Sequence, residues 1–184
     1  MATKLLFRAE DLLDLQSTLN KRLELVKGEL YEVSTGWRHG EVMGRIYSLL
    51  DFWNRMHKAG RVACDAGVIL ERDPDTVRGP DVSFVRKGRI SAEQARRGFV
   101  ELAPDLAVEV KSPNDTWASQ VAKAQEYLAK GTALVLLVRP DEYAEVHRPG
   151  QQPLRLGLDD IFTAEDVLPG FAAPIRDFFP ETSE

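Results

Sequence analysis

At 184 residues, 43% apolar and 29% charged, the chain has the make-up of one globular domain whose core needs no staples. Its net charge of −5 argues against nucleic-acid binding by bulk electrostatics. The single Cys64 excludes an internal disulfide or a cysteine-rich zinc site, and its longest apolar run, residues 133–138, is far too short to cross a bilayer.

Residues 1–8 do not read as a signal peptide, so a cytoplasmic protein with no membrane partner is expected. Leu12, Leu13, Leu15 and Leu19 follow helical spacing with Glu10 and Asp11 ahead of them, which predicts a short amphipathic helix over 9–19. Residues 22–26 and 29–33 predict a hairpin, with Gly28 supplying the positive φ of a tight turn. A loop is expected over 34–36. Val42, Met43, Ile46, Leu49, Leu50 and Trp53 then mark the longest helix, starting near 37–40 and stopping at Gly60. In its first turn His39 reads as a helix-end histidine bonded to backbone. Glu41 reads as one half of an ion pair with Arg45, four residues on.

Residues 61–70 read as one strand and 71–79 as a turn. Pro80 leads into a strand over 81–85, with Val82 and Phe84 on one face and Asp81, Ser83 and Val85 on the other. Residues 91–98 read as a capped helical turn or two. The basic residues Arg86, Lys87, Arg89, Arg96 and Arg97 read as solvated surface in preference to phosphate contacts. A helix capped by Asn114 or Asp115 runs to about Lys130, with Val121, Ala124, Tyr127 and Leu128 as its apolar stripe. Strands are expected over 133–138, 143–148 and 154–158, and the apolar tail to 179 is read as packing without regular structure.

The stretch 103–116 organises the rest. It predicts a buried strand in which Glu109 and Lys111 point the same way, opposite Leu106, Val108 and Val110. A carboxylate and an ammonium there are costly unless paired, hydrated or used. If this strand neighbours the one opened by Asp81, two carboxylates and an amine converge. Two carboxylates with substrate phosphate oxygens suit Mg²⁺, with Mn²⁺ as a substitute, and the amine can stabilise charge developing on a phosphoryl oxygen.

Pro80-Asp81 followed by Glu109-Val110-Lys111 resembles the PD-(D/E)xK pattern of restriction-endonuclease-like proteins. Residues 25–30, His39-Gly40-Glu41, 79–85, 104–109 with Ser112-Pro113, Lys123 with Tyr127, and 168–171 further resemble one branch, the Uma-two family. The resemblance covers nearly the whole chain. It implies an α/β (α+β) fold with a mixed β-sheet flanked by helices, in one domain over 1–184. Within it, a helix and hairpin fill 1–36, the nuclease core about 37–148, and a strand and tail 149–184. It implies a Mg²⁺-dependent endonuclease acting on DNA. RNA or branched DNA is the weaker alternative substrate, and a homodimer is expected because cutting both strands is simplest with two sites related by a two-fold axis. Asp81 and Glu109 would be metal ligands, Glu41 would complete the metal shell, and Lys111 would be the catalytic lysine. Many members of the branch resemble one another in carrying an apolar residue there and a lysine on the next helix, which makes Lys123 the second candidate; the shared face with Glu109 favours Lys111. The competing expectation is an inactive nucleic-acid-binding or assembly module of the same fold.

Overall fold

Alternation along the strand at 106–110 decides how the layers stack. In the computed structural model, which describes residues 6–33 and 36–181, it lies near the middle of a mixed sheet with a helix on each face. The loop expected at 34–36 and the reading of the first residues fall largely outside the described residues.

In chain order the elements begin with α1 (Ala9–Leu19), β1 (Leu23–Val26), β2 (Glu29–Glu32), α2 (Trp37–His57), β3 (Gly60–Cys64), β4 (Val68–Glu71), β5 (Thr76–Arg78) and β6 (Val82–Arg86). They continue with β7 (Val100–Glu101), β8 (Leu106–Val110), α3 (Trp117–Ala129), β9 (Leu134–Arg139), β10 (Tyr143–His147), β11 (Leu154–Gly157), β12 (Ile161–Ala164) and β13 (Leu168–Pro174). A six-stranded sheet has the order β11-β10-β9-β8-β6-β3 and a five-stranded sheet the order β2-β1-β5-β4-β7, while β12 and β13 form a ribbon of their own. In the larger sheet β8 and β9 run parallel, joined through α3 as a parallel pair requires, and the other pairs are antiparallel.

Leu106, Val108 and Val110 of β8 pack with Leu134, Leu136 and Val138 of β9 against Val42, Ile46, Leu50 and Trp53 of α2. The alternate residues Ala107, Val135 and Leu137 meet Ala124 and Tyr127 of α3 on the other face. A strand buried on both faces should be apolar throughout, so Glu109, only 4% exposed, is the exception that marks the site. The five-stranded sheet is closed by α1, whose Leu12 packs on Leu23, Leu25, Ile69 and Val77. Among the described residues no helix is long and apolar enough to cross a membrane.

Several expectations change. The helix α2 stops at Lys58 in the left-handed region (φ 51°), and Gly60 instead opens β3, where a Cβ would stand 2.1 Å from the Val85 carbonyl oxygen. Residues 61–70 are two strands in different sheets, split at Asp65 (φ 49°). The turn read at 71–79 contains β5, which pairs with both β1 and β4. Thr116 caps α3 by accepting from Ser119 N (3.1 Å), because Asp115 is engaged with Ser112 N (2.9 Å) and Gln120 Nε2 (3.0 Å). The tail is regular after all. Its ribbon buries Phe162, Leu168 and Phe171 against α2, and Trp53 Nε1 donates to Pro169 O (3.1 Å).

Asp75 ties α1 to the smaller sheet. Its carboxylate is 5% exposed and accepts from Ala9 N in the first helical turn (2.9 Å) and from Arg72 Nη1 (2.8 Å). Burial opposes ionisation, but the backbone donors of Ala9 and Asp73 and the Arg72 guanidinium outweigh it and hold the pKa below the usual carboxylate value. A depressed folded-state pKa stabilises the fold above the unfolded pKa, and that stability is lost as pH falls through the folded value. Asp75→Ala is therefore expected to lower unfolding free energy by about 1–3 kcal/mol at neutral pH. The gap from wild type should shrink in urea titrations below about pH 4. A gap that does not change with pH would refute this account.

Candidate active site

Antiparallel pairing of β6 with β8 sets Val82 opposite Val108, which brings Asp81 beside the end of β8. Asp81 Oδ2 accepts from Val110 N (2.7 Å) and meets His39 Nε2 of α2 (3.0 Å). Oδ1 lies 3.5 Å from Arg22 Nη2. Both Asp81 and His39 are 4% exposed. Beside the Val110 whose amide Asp81 holds, Glu109 Oε1 accepts from the Tyr127 hydroxyl (2.9 Å) and Oε2 from Lys123 Nζ (2.9 Å), both on α3. Lys123 Nζ also donates to Glu24 Oε1 of β1 (2.9 Å). Glu24 in turn accepts from Gly79 N (3.0 Å) and Arg78 Nη1 (2.9 Å). Asp81, Glu109, His39, Glu24 and Lys123 thus line one pocket, where the two larger sheets and α3 meet.

The charges in this pocket act on one another. Burial pushes the Glu109 carboxyl pKa up; Lys123 opposes the rise, and the nearby Asp81 and Glu24 carboxylates add to it. Glu24 goes the other way: burial is outweighed by Lys123, Arg78 and the Gly79 amide, which hold its pKa down. Burial would release the proton of Lys123, but Glu109 and Glu24 keep its ammonium charged. His39 is likewise held toward its charged form, burial being overcome by the hydrogen bond and charge of Asp81. Its Nδ1 is buried without a hydrogen-bond partner. Glu24→Ala would leave Lys123 and Arg78 short of a counter-charge in a desolvated place, and is expected to destabilise the fold by about 3–5 kcal/mol in urea unfolding. A loss under about 1 kcal/mol, typical of exposed pairs, would mean the network is solvated.

The sequence brings Asp81 and Glu109 to the same face, as expected, but two other candidates stand elsewhere. Strand β8 ends at Val110. Lys111 Nζ donates to Ser112 O (3.0 Å) and lines an adjoining cleft with Trp37 and Arg139, which meets the pocket at His39 and Ser112. The alternation that would have set Lys111 beside Glu109 does not survive the turn into Ser112-Pro113. Glu41 pairs with Arg38 (3.5 Å) and lines a groove with Asp141 and Arg176, away from Asp81. Lys123 is the lysine that touches Glu109. Of the basic cluster, Arg86 and Arg89 engage Asp105, Arg97 engages Glu93, and none lines the pocket.

His39, expected to bond backbone, instead meets Asp81. Its position was readable: His39, Val42, Ile46, Leu50 and Trp53 share the buried face of α2. Glu24 had no such signal, since β1 is short and a lone glutamate in a hairpin is ordinary.

A family model described as "Uma2: Putative restriction endonuclease" matches residues 9–176. The chain belongs to the Uma2 family. The Uma2 chain is also similar to a crystal structure described as a putative nuclease belonging to DUF820 from Anabaena variabilis. That match has a TM-score of 0.75 at 20% identity, over 85% of this chain and 89% of that one. Such identity speaks for the fold alone, and the restriction-endonuclease-like architecture expected from sequence holds. A cryo-EM structure of a DrdV–DNA complex matches at 15% identity, over 92% of this chain but 13% of the other, with a TM-score of 0.43, too remote to bear on substrate. No curated protein matches the Uma2 chain.

Proposed function

We propose that this pocket hydrolyses phosphodiester bonds, in DNA, with a divalent cation held by Asp81 and Glu109. The observation that carries the reading is two buried carboxylates and a lysine ammonium converging on one open pocket in a chain of the Uma2 family.

The donor set fits Mg²⁺. Among the described residues no three His, Cys, Asp or Glu side chains stand close enough to hold a metal between them, which argues against a closed cage. Mg²⁺ needs none, because it is bound through one or two carboxylates and keeps several waters; Mn²⁺ suits the same oxygens. Burial first, with the like charges of Asp81 and Glu24 adding to it, raises the pKa of Glu109, and a cation beside it would oppose that rise. When bound, such an ion supplies polarisation of the scissile phosphate and a more acidic water.

The chain's own groups do the rest. Asp81 spends Oδ2 on Val110 N and His39, which fixes the carboxylate and leaves Oδ1 toward Arg22. Glu109 is held at both oxygens by Tyr127 and Lys123. An ammonium has three donors; Lys123 gives two to Glu24 and Glu109 and keeps one for a phosphate or water oxygen. A fixed cation there needs no rearrangement as charge grows on the phosphoryl oxygens. On this reading Lys123 takes the catalytic role and Lys111 does not, and Glu41 is no ligand.

Plasmid nicking by the wild-type chain in Mg²⁺ against EDTA tests the proposal. Cleavage confined to the metal-containing arm supports it. Divalent-cation binding without cleavage of DNA or RNA would leave a non-catalytic module in its place.

A further inference from the structure

The cleft that meets the pocket at His39 and Ser112 has a second feature: an aromatic wall. Trp37, the first residue of α2, lines it at 86% exposed. Tryptophan is among the most buried residues on average, so an open indole beside a pocket built for phosphodiesters is unusual. The cleft also lies off the carboxyl ends of the parallel strands β8 and β9, where ligands settle in sheets of this kind.

We propose that this cleft is a nucleotide subsite. An unpaired nucleotide next to the scissile phosphate lays its base on the Trp37 indole and sets its own phosphate against Arg139. The inference rests on the nuclease reading of the pocket and adds a substrate class to it: nucleic acid that is single-stranded on one side of the cut.

The charge of the lining fits that occupant. Arg38, Lys111 and Arg139 stand against one carboxylate, Glu142, in a chain whose net charge is −5. Arg38 is engaged by Asp141 (3.0 Å), and Lys111 is turned to the Ser112 carbonyl (3.0 Å). Arg139 is placed for a phosphate. It closes β9, gives Nε to Glu142 (2.7 Å), and carries its guanidinium 5.8 Å from the centre of the Tyr143 ring. A guanidinium has five N–H donors, and its planar fork suits phosphate oxygens.

Size and stacking decide the strandedness. The cleft holds about 340 Å³, the small end of ligand clefts, which run roughly 300–1,000 Å³. That admits one nucleotide and not a duplex. Within a duplex both faces of a base are covered by the stack, so only an unpaired base can offer one to Trp37. Every base has such a face, so the subsite reads strandedness and not sequence.

Binding of the full chain to labelled DNA, followed by fluorescence anisotropy with Ca²⁺ in place of Mg²⁺, tests this without calling on cleavage. Duplexes with a short unpaired tail at the 3′ or the 5′ end are compared with a blunt duplex of equal phosphate number. Wild type is expected to bind one tailed duplex about tenfold more tightly than the blunt one, the scale of a single base–aromatic stack. Trp37→Ala should lose that advantage and Trp37→Phe keep most of it. Both should melt like wild type, because the side chain is exposed. Arg139→Gln should weaken the tailed complex and lower its salt dependence by about one phosphate contact. Equal affinity of wild type for tailed and blunt DNA would overturn the subsite, as would a Trp37→Ala variant that keeps the preference or an unchanged salt slope in Arg139→Gln. Those results would leave the nicking test of the pocket standing. A wild type that binds none of these DNAs would instead remove the nuclease reading, and the subsite with it.

Discussion

Lys123→Met should lower the single-turnover rate of plasmid nicking by about 10²–10³-fold, the usual range for removing one fixed donor to developing charge. Lys111→Met should stay within about threefold of wild type, an effect of surface charge rather than of the reacting site. The contrast follows from position. Lys123 Nζ lies 2.9 Å from both Glu109 Oε2 and Glu24 Oε1, whereas Lys111 Nζ is bonded to Ser112 O. Methionine keeps the unbranched stem and most of the volume, so the α3 contacts persist while the charge goes. Without the ammonium, Glu109 loses the charge that opposes its raised pKa and keeps only the Tyr127 hydroxyl as donor, and a larger fraction of it is protonated at neutral pH. Melting curves must accompany the rates, because Glu24 keeps Arg78 and Gly79 as partners and the fold should survive. A Lys111 variant more impaired than the Lys123 variant would return the catalytic role to the strand.

How much of this was legible depended on the period of each element. The helices α1, α2 and α3 and strands β6, β8 and β9 are long enough for their apolar spacing to be unmistakable; these carry Glu109 and Lys123 and place Asp81 immediately ahead of β6. What failed lies at element ends. Lys111 sits one residue past the last ladder residue of β8, where the alternation rule no longer fixes a side chain. Glu41 lies two residues beyond His39 on α2; that step turns a helical side chain about 200° round the axis, so the two cannot serve the same pocket. Gly60 looked like a helix stop because glycine favours such places, yet its reason is the carbonyl oxygen of Val85 beside it.

Glu24 was out of reach for a different reason. It comes to Lys123 across 99 positions of sequence, from a strand in the second sheet. Nothing local distinguishes a glutamate that will be 7% exposed from one on a solvated hairpin. β5 escaped for the same reason: three residues inside a run of turn formers become a strand only because β1 and β4 flank them. Tertiary context chooses there, and local pattern does not.

Asp81→Asn should abolish metal-dependent nicking, by about 10³-fold or more, equal to about 4 kcal/mol of transition-state stabilisation. The change is nearly isosteric. An asparagine oxygen can still accept from Val110 N, which Asp81 Oδ2 does at 2.7 Å, so the β6–β8 junction need not open. What is lost is the charge that would bind the cation and that holds His39 toward its protonated form. With that charge gone, one of the two like-charged neighbours that raise Glu109 is also removed, so Glu109 ionises more readily. A single, better-ionised carboxylate still cannot replace two, because Mg²⁺ gives up its waters reluctantly and needs the second anionic oxygen to compete with them. Calorimetry with Mn²⁺ should therefore show affinity reduced by at least about tenfold in the variant, alongside the lost nicking. Full Mn²⁺ affinity in Asp81→Asn would take the cation away from this pair of carboxylates. Retained nicking would move the chemistry to another part of the molecule.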